Sequence, residues 1–238
     1  MRIHLKTGPG LLFAAAFVMA LIAFLPMRLM LGWIGLGDQG LTARSVDGSV
    51  WWGTLTDARF GDLAVGDLDA GLSPFQLLIG RARVALDSRG DGRILHGAAS
   101  VSRHSFGLDD MTAALSAGTV FAPVPVTGID LDQVSVRFQD GSCQRAEGRV
   151  KATLSGDVGG LPLSQGLSGT AKCESGALLL PLTSQSGIET AAIRLWPSGR
   201  FRAELSVRPA NPADGTKLQL SGFQQTPQGY TLAVEGNF

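Results

Sequence analysis

Eight consecutive residues, Phe201-Arg202-Ala203-Glu204-Leu205-Ser206-Val207-Arg208, alternate apolar and polar without a break. In an extended chain successive side chains point to opposite faces, so this stretch makes a strand with one face buried and the other wet. The same period recurs in Val134-Ser135-Val136-Arg137-Phe138, Ile193-Arg194-Leu195, Leu218-Gln219-Leu220 and Tyr230-Thr231-Leu232-Ala233-Val234-Glu235. Between these runs stand turn signals: Asp47-Gly48, Asp91-Gly92, Asp140-Gly141, Pro197-Ser198-Gly199, Asp214-Gly215 and Pro227-Gln228-Gly229. Many short strands joined by close turns predict an all-β fold, an antiparallel meander forming a curved or partly closed sheet. The chain's 32 glycines, roughly twice the usual ~7 % share, suit such turns and close approaches.

Helical material is scarce in that region. In Ser73-Pro74-Phe75-Gln76-Leu77-Leu78-Ile79-Gly80, Ser73 can cap, Pro74 suits the first helical position and Gly80 can end a turn or two of helix. The segment beginning Leu108-Asp109-Asp110-Met111 is read as strand.

The N-terminus follows a different rule. From Leu11 to Met27 no residue is charged, and after Arg28 the apolar character resumes through Leu31, Trp33 and Ile34. About 20 helical residues cover the roughly 30 Å hydrocarbon core of a bilayer. The sequence therefore predicts a cytoplasmic tail over 1–9, a signal-anchor transmembrane helix over 10–34 and an exported β domain over 35–238. Arg2 and Lys6 ahead of the apolar run place the N-terminus in the cytoplasm by the positive-inside bias. A cleaved signal peptide is the rival reading, but bulky Trp33 and Ile34 before Gly35-Leu36-Gly37 make a poor processing site.

Composition and motifs exclude much else. With 20 basic and 20 acidic residues the formal net charge is zero, so no field of one sign points to nucleic acid. No nucleophile elbow, phosphate-binding loop, dinucleotide fingerprint or metal-binding His/Cys spacing occurs, so neither a cofactor, a metal nor an enzymatic site is expected. His96 and His104 share a stretch with Ser102, Ser105, Asp109 and Asp110, but they read as ordinary strand or surface residues. The pairs Asp67/Asp69 and Asp130/Asp132 each fall on one face of a strand, where they solvate it.

Two features carry the site expectations. Cys143 and Cys173 lie in the exported part, where thiols oxidise, and are candidates for a disulfide closing about 30 residues; two buried free thiols are the alternative. A hairpin centred on Val158 sets them opposite one another, and a bulge at Gly148 is needed to bring both to one face. In Val50-Trp51-Trp52 successive side chains point to opposite faces, so one tryptophan joins the core and the other is free for packing at a rim, a membrane interface or a partner protein. Gly53 beside them permits a close approach.

Taken in order, an N-terminal anchor, Gly48-Ser49-Val50-Trp51-Trp52-Gly53, Leu72-Ser73-Pro74-Phe75-Gln76-Leu77-Leu78-Ile79-Gly80, the segment from Pro123 to Val150, and the C-terminal runs from Pro197 and from Gly229 resemble type II secretion system protein N. The resemblance implies a non-enzymatic, single-pass inner-membrane protein with a periplasmic β domain. It would assist export of folded proteins across the outer membrane through contacts with other secretion subunits. The tryptophan and Leu-Leu-Gly elements also look like those of AsmA-type membrane proteins, which implies the alternative of a lipid-binding groove.

Overall fold

The computed structural model describes residues 9–29, 41–60, 63–90, 94–118, 120–158 and 161–237. Residues 1–8 of the expected tail, residues 30–34 of the expected membrane span, the Asp91-Gly92 turn and Phe238 lie outside them. Helix α1 (Pro9–Ala23) contains no charged residue. Its described side chains are exposed, Phe13 and Met19 by more than 70 %. At 1.5 Å per residue its 15 residues span about 22 Å. Among the described residues no helix is long and apolar enough to cross a membrane.

The rest is antiparallel sheet. Strands β1 (Leu41–Thr42) and β2 (Ser45–Ser49) both pair with β3 (Trp52–Phe60). Then come β4 (Leu63–Leu72), the short helix α2 (Pro74–Leu78), β5 (Ala82–Ser88), β6 (Leu95–Val101) and β7 (Ser105–Ser116). The long hairpin of β8 (Val126–Gln139) and β9 (Ser142–Leu154) leads, through the two-stranded ribbon of β10 (Asp157–Val158) and β11 (Leu161–Pro162), to β12 (Gly166–Thr170) and β13 (Lys172–Glu174). The chain closes with β14 (Ala177–Ser184), β15 (Glu189–Leu195), β16 (Arg200–Val207), helix α3 (Pro212–Leu220), β17 (Gln224–Thr226) and β18 (Gly229–Asn237). Sixteen of the strands form one sheet, a meander in which each main strand pairs with its sequence neighbour until β18 inserts between β16 and β17. The predicted all-β meander is thus the architecture seen.

Strand alternation sorts the side chains as the sequence requires. On β16, Phe201, Ala203, Leu205 and Val207 are buried, and Arg202, Glu204 and Ser206 face outward. The buried face runs on through Ile193 and Ala191 of β15, Leu180 and Leu182 of β14, Leu167 of β12 and Val150 and Ala152 of β9. It is closed from inside by the segment between β7 and β8, whose Phe121 packs edge-on to Phe201 at 5.4 Å. Leu218 of α3 and Phe223 complete the cover. The half from β3 to β7 is thinner, and its clusters are built on Leu55, Ala58, Leu68, Ala70, Leu95, Met111 and Ala113.

A line of bulges crosses the middle strands. The register shifts after Leu55 on β3, after His96 on β6, between Leu108 and Met111 on β7, and between Asp132 and Ser135 on β8. Backbone φ is positive there at Asp57, Gly97, Asp110, Gln133 and Gly148. Each bulge adds local twist and bends its strand, so a row of them curves the sheet. At Gly148 (φ +104°) an added Cβ would lie 2.5 Å from Val134 Cα, so glycine is required there by both conformation and space.

Three local expectations are corrected. Asp214-Gly215 does not turn and Leu218-Gln219-Leu220 is not a strand: both lie in α3. The Asn211 side chain accepts a hydrogen bond from the Ala213 N–H at 3.0 Å, and Pro212 occupies the first turn, a start signal stronger than three alternating residues. Asp47-Gly48 lies within β2, paired to Thr54 and Gly53, and the chain reverses at Val50-Trp51. By contrast, α2 covers the expected helical stretch behind Ser73, and Leu108–Ser116 is strand as read.

Candidate interaction surface

The Val50-Trp51 turn is where three parts of the chain meet. The Val50 N–H donates to Leu25 O at 3.0 Å, and Pro26 forms a bridge with Ser49, so the segment leaving α1 is hydrogen-bonded to the hairpin. Val50 O accepts from the Leu72 N–H at 3.0 Å, which ties the same turn to the end of β4, where α2 begins. Val50 and Met27 are buried, and Met27 lies over Gly53 so closely that an added Cβ would meet its Sδ. The close approach expected at Gly53 is therefore made by Met27, a contact across 26 residues that no local pattern reveals.

Neither tryptophan supplies the core here. Trp51 is half-buried, its carbonyl 2.8 Å from where a Cβ on Gly71 would stand. Trp52 opens β3 on the outer face and is 84 % exposed. The two do sit side by side on an accessible turn, but Val50 and Met27 take the inward positions.

Beside this turn stand Phe75 of α2 and Ile79, the residue that caps its C-terminus, 81 % and 75 % exposed. Ser73 is its cap residue by position, although its side chain makes no capping bond, and Pro74 sets the first turn. The Ser73 N–H donates to Arg83 O at 2.9 Å, and Ala82 pairs with Val101, so the β6–β7 turn with Arg103 and His104 lies at the same end.

Cys143 and Cys173 are joined, Cα to Cα 5.4 Å, across a sequence separation of 30. Their hairpin is centred between residues 159 and 160 rather than on Val158, since Leu167 pairs with Ala152. Direct pairing stops at Thr170 with Arg149; beyond it Gly148 O accepts from the Ala171 N–H at 3.0 Å and β13 swings to β14, while the register shift that turns Cys143 inward lies between Arg145 and Cys143 on β9, not at Gly148 as the sequence suggested. Cys143 opposes Phe138 and is buried on the inner face.

The outer face of the C-terminal strands is charged. Lys172, Glu174, Arg194, Glu204, Arg202 and Glu235 form a chain of ion pairs from β13 to β18, the shortest being Arg202 to Glu204 at 2.6 Å. Hydrogen bonding and charge from Glu204 hold the Arg202 guanidinium still more firmly protonated, and those from Lys172 lower the Glu174 carboxyl. A depression of about 650 Å³ lies among these groups, Trp196 and Asn237. It is lined by charges and does not suit an acyl chain.

The stretch holding the histidines gathers no reactive group. His96 Nδ1 meets Asp87, Ser102 and Ser105 bond each other at 2.7 Å, Asp109 faces Arg83 at 3.4 Å, and Asp110 accepts from Ser135. Asp69 and Asp132 pair with Arg89 and Arg149, and Asp67 accepts from the Asp57 N–H. Among the described residues no three His, Cys, Asp or Glu are grouped to hold a metal.

Comparison with known proteins agrees with the ordered motifs. The model of the family described as type II secretion system (T2SS), protein N, matches residues 39–233. A type II secretion system protein N from Vibrio cholerae serotype O1 (strain ATCC 39315 / El Tor Inaba N16961) is 28 % identical over 242 residues, covering 93 % of each chain. No solved structure matches the chain significantly. The chain belongs to the type II secretion system protein N family, and is a component of that secretion machinery.

Proposed function

We propose that this protein is a non-enzymatic subunit held in the cell inner membrane by the helical part of the segment 10–34, ahead of Leu25–Met27 where the chain meets the sheet, with its N-terminus cytoplasmic and residues 35–238 in the periplasm. There it assists export of folded proteins across the outer membrane through contacts with other type II secretion subunits. The observation that carries the membrane part of this reading is α1: an uncharged helix whose described side chains are exposed, which water would not tolerate as a solvated surface. The Cys143–Cys173 bridge fits an oxidising compartment. The outer face of the C-terminal strands, with its ion pairs, offers a polar surface to other proteins. Nothing specific favours a lipid groove, since the inner face from β9 to β16 is filled by its own side chains.

The test is made in intact cells. A reporter enzyme active only outside the cytosol, fused after Phe238, should be active, and the chain should resist alkaline carbonate extraction from membranes. A tagged chain isolated in mild detergent should bring secretion subunits with it. A silent reporter would refute the topology, and a preparation free of secretion subunits would refute the proposed contacts.

A further inference from the structure

The turn end of the N-terminal half has a composition unlike the rest of the surface. Trp52, Phe75, Ile79 and Val101 are each more than half exposed, and they occur on three adjacent turns. Arg81 and Arg103 stand on those same turns, with Arg28 just after α1. Of the acids toward this end, Asp47 lies on β2 opposite Thr54, Asp140 follows β8 with its N–H on His104 O at 2.9 Å, and Asp109 is paired with Arg83. Tryptophan and arginine beside aliphatic side chains are the mixture that settles at the headgroup level of a bilayer, the rings and alkyl groups at the acyl boundary and the cations at phosphate.

Position selects the occupant. The chain leaving α1 is hydrogen-bonded to this turn, through Val50 N–H to Leu25 O, and buried under it through Met27. Side chains so close to the end of α1 cannot lie far from whatever surface that helix enters. We propose that Trp52 and α2, with Arg81 and Arg103, form a second membrane contact, seated in the headgroup layer of the leaflet from which the anchor emerges. This stands the N-terminal strands with their turns on the bilayer instead of leaving the sheet on a loose tether. The inference rests on the membrane anchoring proposed above, and its partner is an anionic phospholipid surface.

The full chain, with Trp33→Phe and Trp196→Phe so that only the turn tryptophans emit, is reconstituted into vesicles of phosphatidylethanolamine and phosphatidylglycerol. Phospholipids brominated at the top of the acyl chain should quench the emission, aqueous iodide should not, and Trp52→Phe should remove most of the lipid-sensitive signal. The double variant Phe75→Asp/Ile79→Asp, altered only at exposed positions, should restore iodide access and lose lipid quenching, yet remain carbonate-resistant. Resistance to added protease reports that it is folded. Emission open to iodide and unaffected by brominated lipid, in a chain that stays with the membrane in carbonate, would overturn the second contact while leaving the anchor intact. Release by carbonate would overturn the anchor itself, and the second contact with it.

Discussion

Removing the Cys143–Cys173 bridge offers the most quantitative test of the C-terminal half. In the chain-entropy model a closed loop of 30 residues restricts the unfolded ensemble by about 12 cal/mol/K, or about 3.6 kcal/mol at 25 °C. The bridge also does local work. The β9–β12 ladder ends at Arg149 and Thr170, and beyond it the Ala171 N–H to Gly148 O and Cys143 N–H to Gly176 O bonds join β9 to the β13–β14 hairpin. The variant Cys143→Ala/Cys173→Ala should therefore lose about 3 to 4 kcal/mol, a fall in Tm of about 6 to 16 °C for a domain of this size. Thermal unfolding of the detergent-solubilised chain, followed by circular dichroism, measures the shift; wild type in reductant should move by a similar amount. Hydrogen exchange supplies the local readout, with amides of Lys172–Glu174 exchanging faster in the variant. A Tm within about 2 °C of wild type, with β13 equally protected, would show that the strands hold their places unaided and would refute the reasoning.

Other consequences follow from single contacts. Gly169 lies so close to β14 that an added Cβ would fall 2.9 Å from Pro181 C and closer still to its O; Gly169→Ala should cost about 3 kcal/mol in urea unfolding, because backbone rather than a flexible side chain must give way. Burial works against the charge on Glu189, but hydrogen bonds from Ser184, Ser164 and Ser186 outweigh it and hold the carboxyl below its usual 4.5. A carboxyl lowered on folding adds stability that is complete above pH 4.5 and lost as pH falls through the folded value; Glu189→Gln should flatten that acid limb of the urea midpoint against pH, and an unchanged limb would refute it.

Legibility from sequence divides by the range of the interaction involved. Strands such as Phe201–Val207 were readable because one-sided burial writes a period of two into neighbouring residues. The disulfide was readable too, since two cysteines in one exported region leave one pairing, but the shift that turns Cys143 to the inner face lies between Arg145 and Cys143 on β9 and not at Gly148. Helix α3 was hidden behind Asp214-Gly215, a turn signal in most contexts, although Asn211-Pro212 just before it carries the stronger capping message. The bulge row was only glimpsed, because Asp57, Asp110 and Gln133 take positive φ without being glycine. In the candidate surface, exposed Trp52 could be anticipated as an option, whereas the place of Met27 could not: it depends on which part of a remote segment returns to the sheet.

That return can be tested as a coupling rather than a loss. Met27 is buried over Gly53, and a Cβ on Gly53 would stand 2.0 Å from Met27 Sδ, inside any real contact. Gly53→Ala must therefore push Met27 off the sheet, and Met27→Ala must leave a void above Leu55, Leu68 and Ala70, each at about 2 kcal/mol. If the two side chains compete for one space, Met27→Ala/Gly53→Ala should cost less than the two changes added, because the new methyl occupies part of the void. A coupling of about 1 kcal/mol in the double-mutant cycle is the expected size for groups in contact. The backbone carbonyls of Ser49 and Asp47, 3.1 and 3.3 Å from the same Cβ, set the part that does not recover. Strict additivity would mean that the segment after α1 leaves the sheet in solution, and then the anchor would be a tether and not a structural member of the β domain.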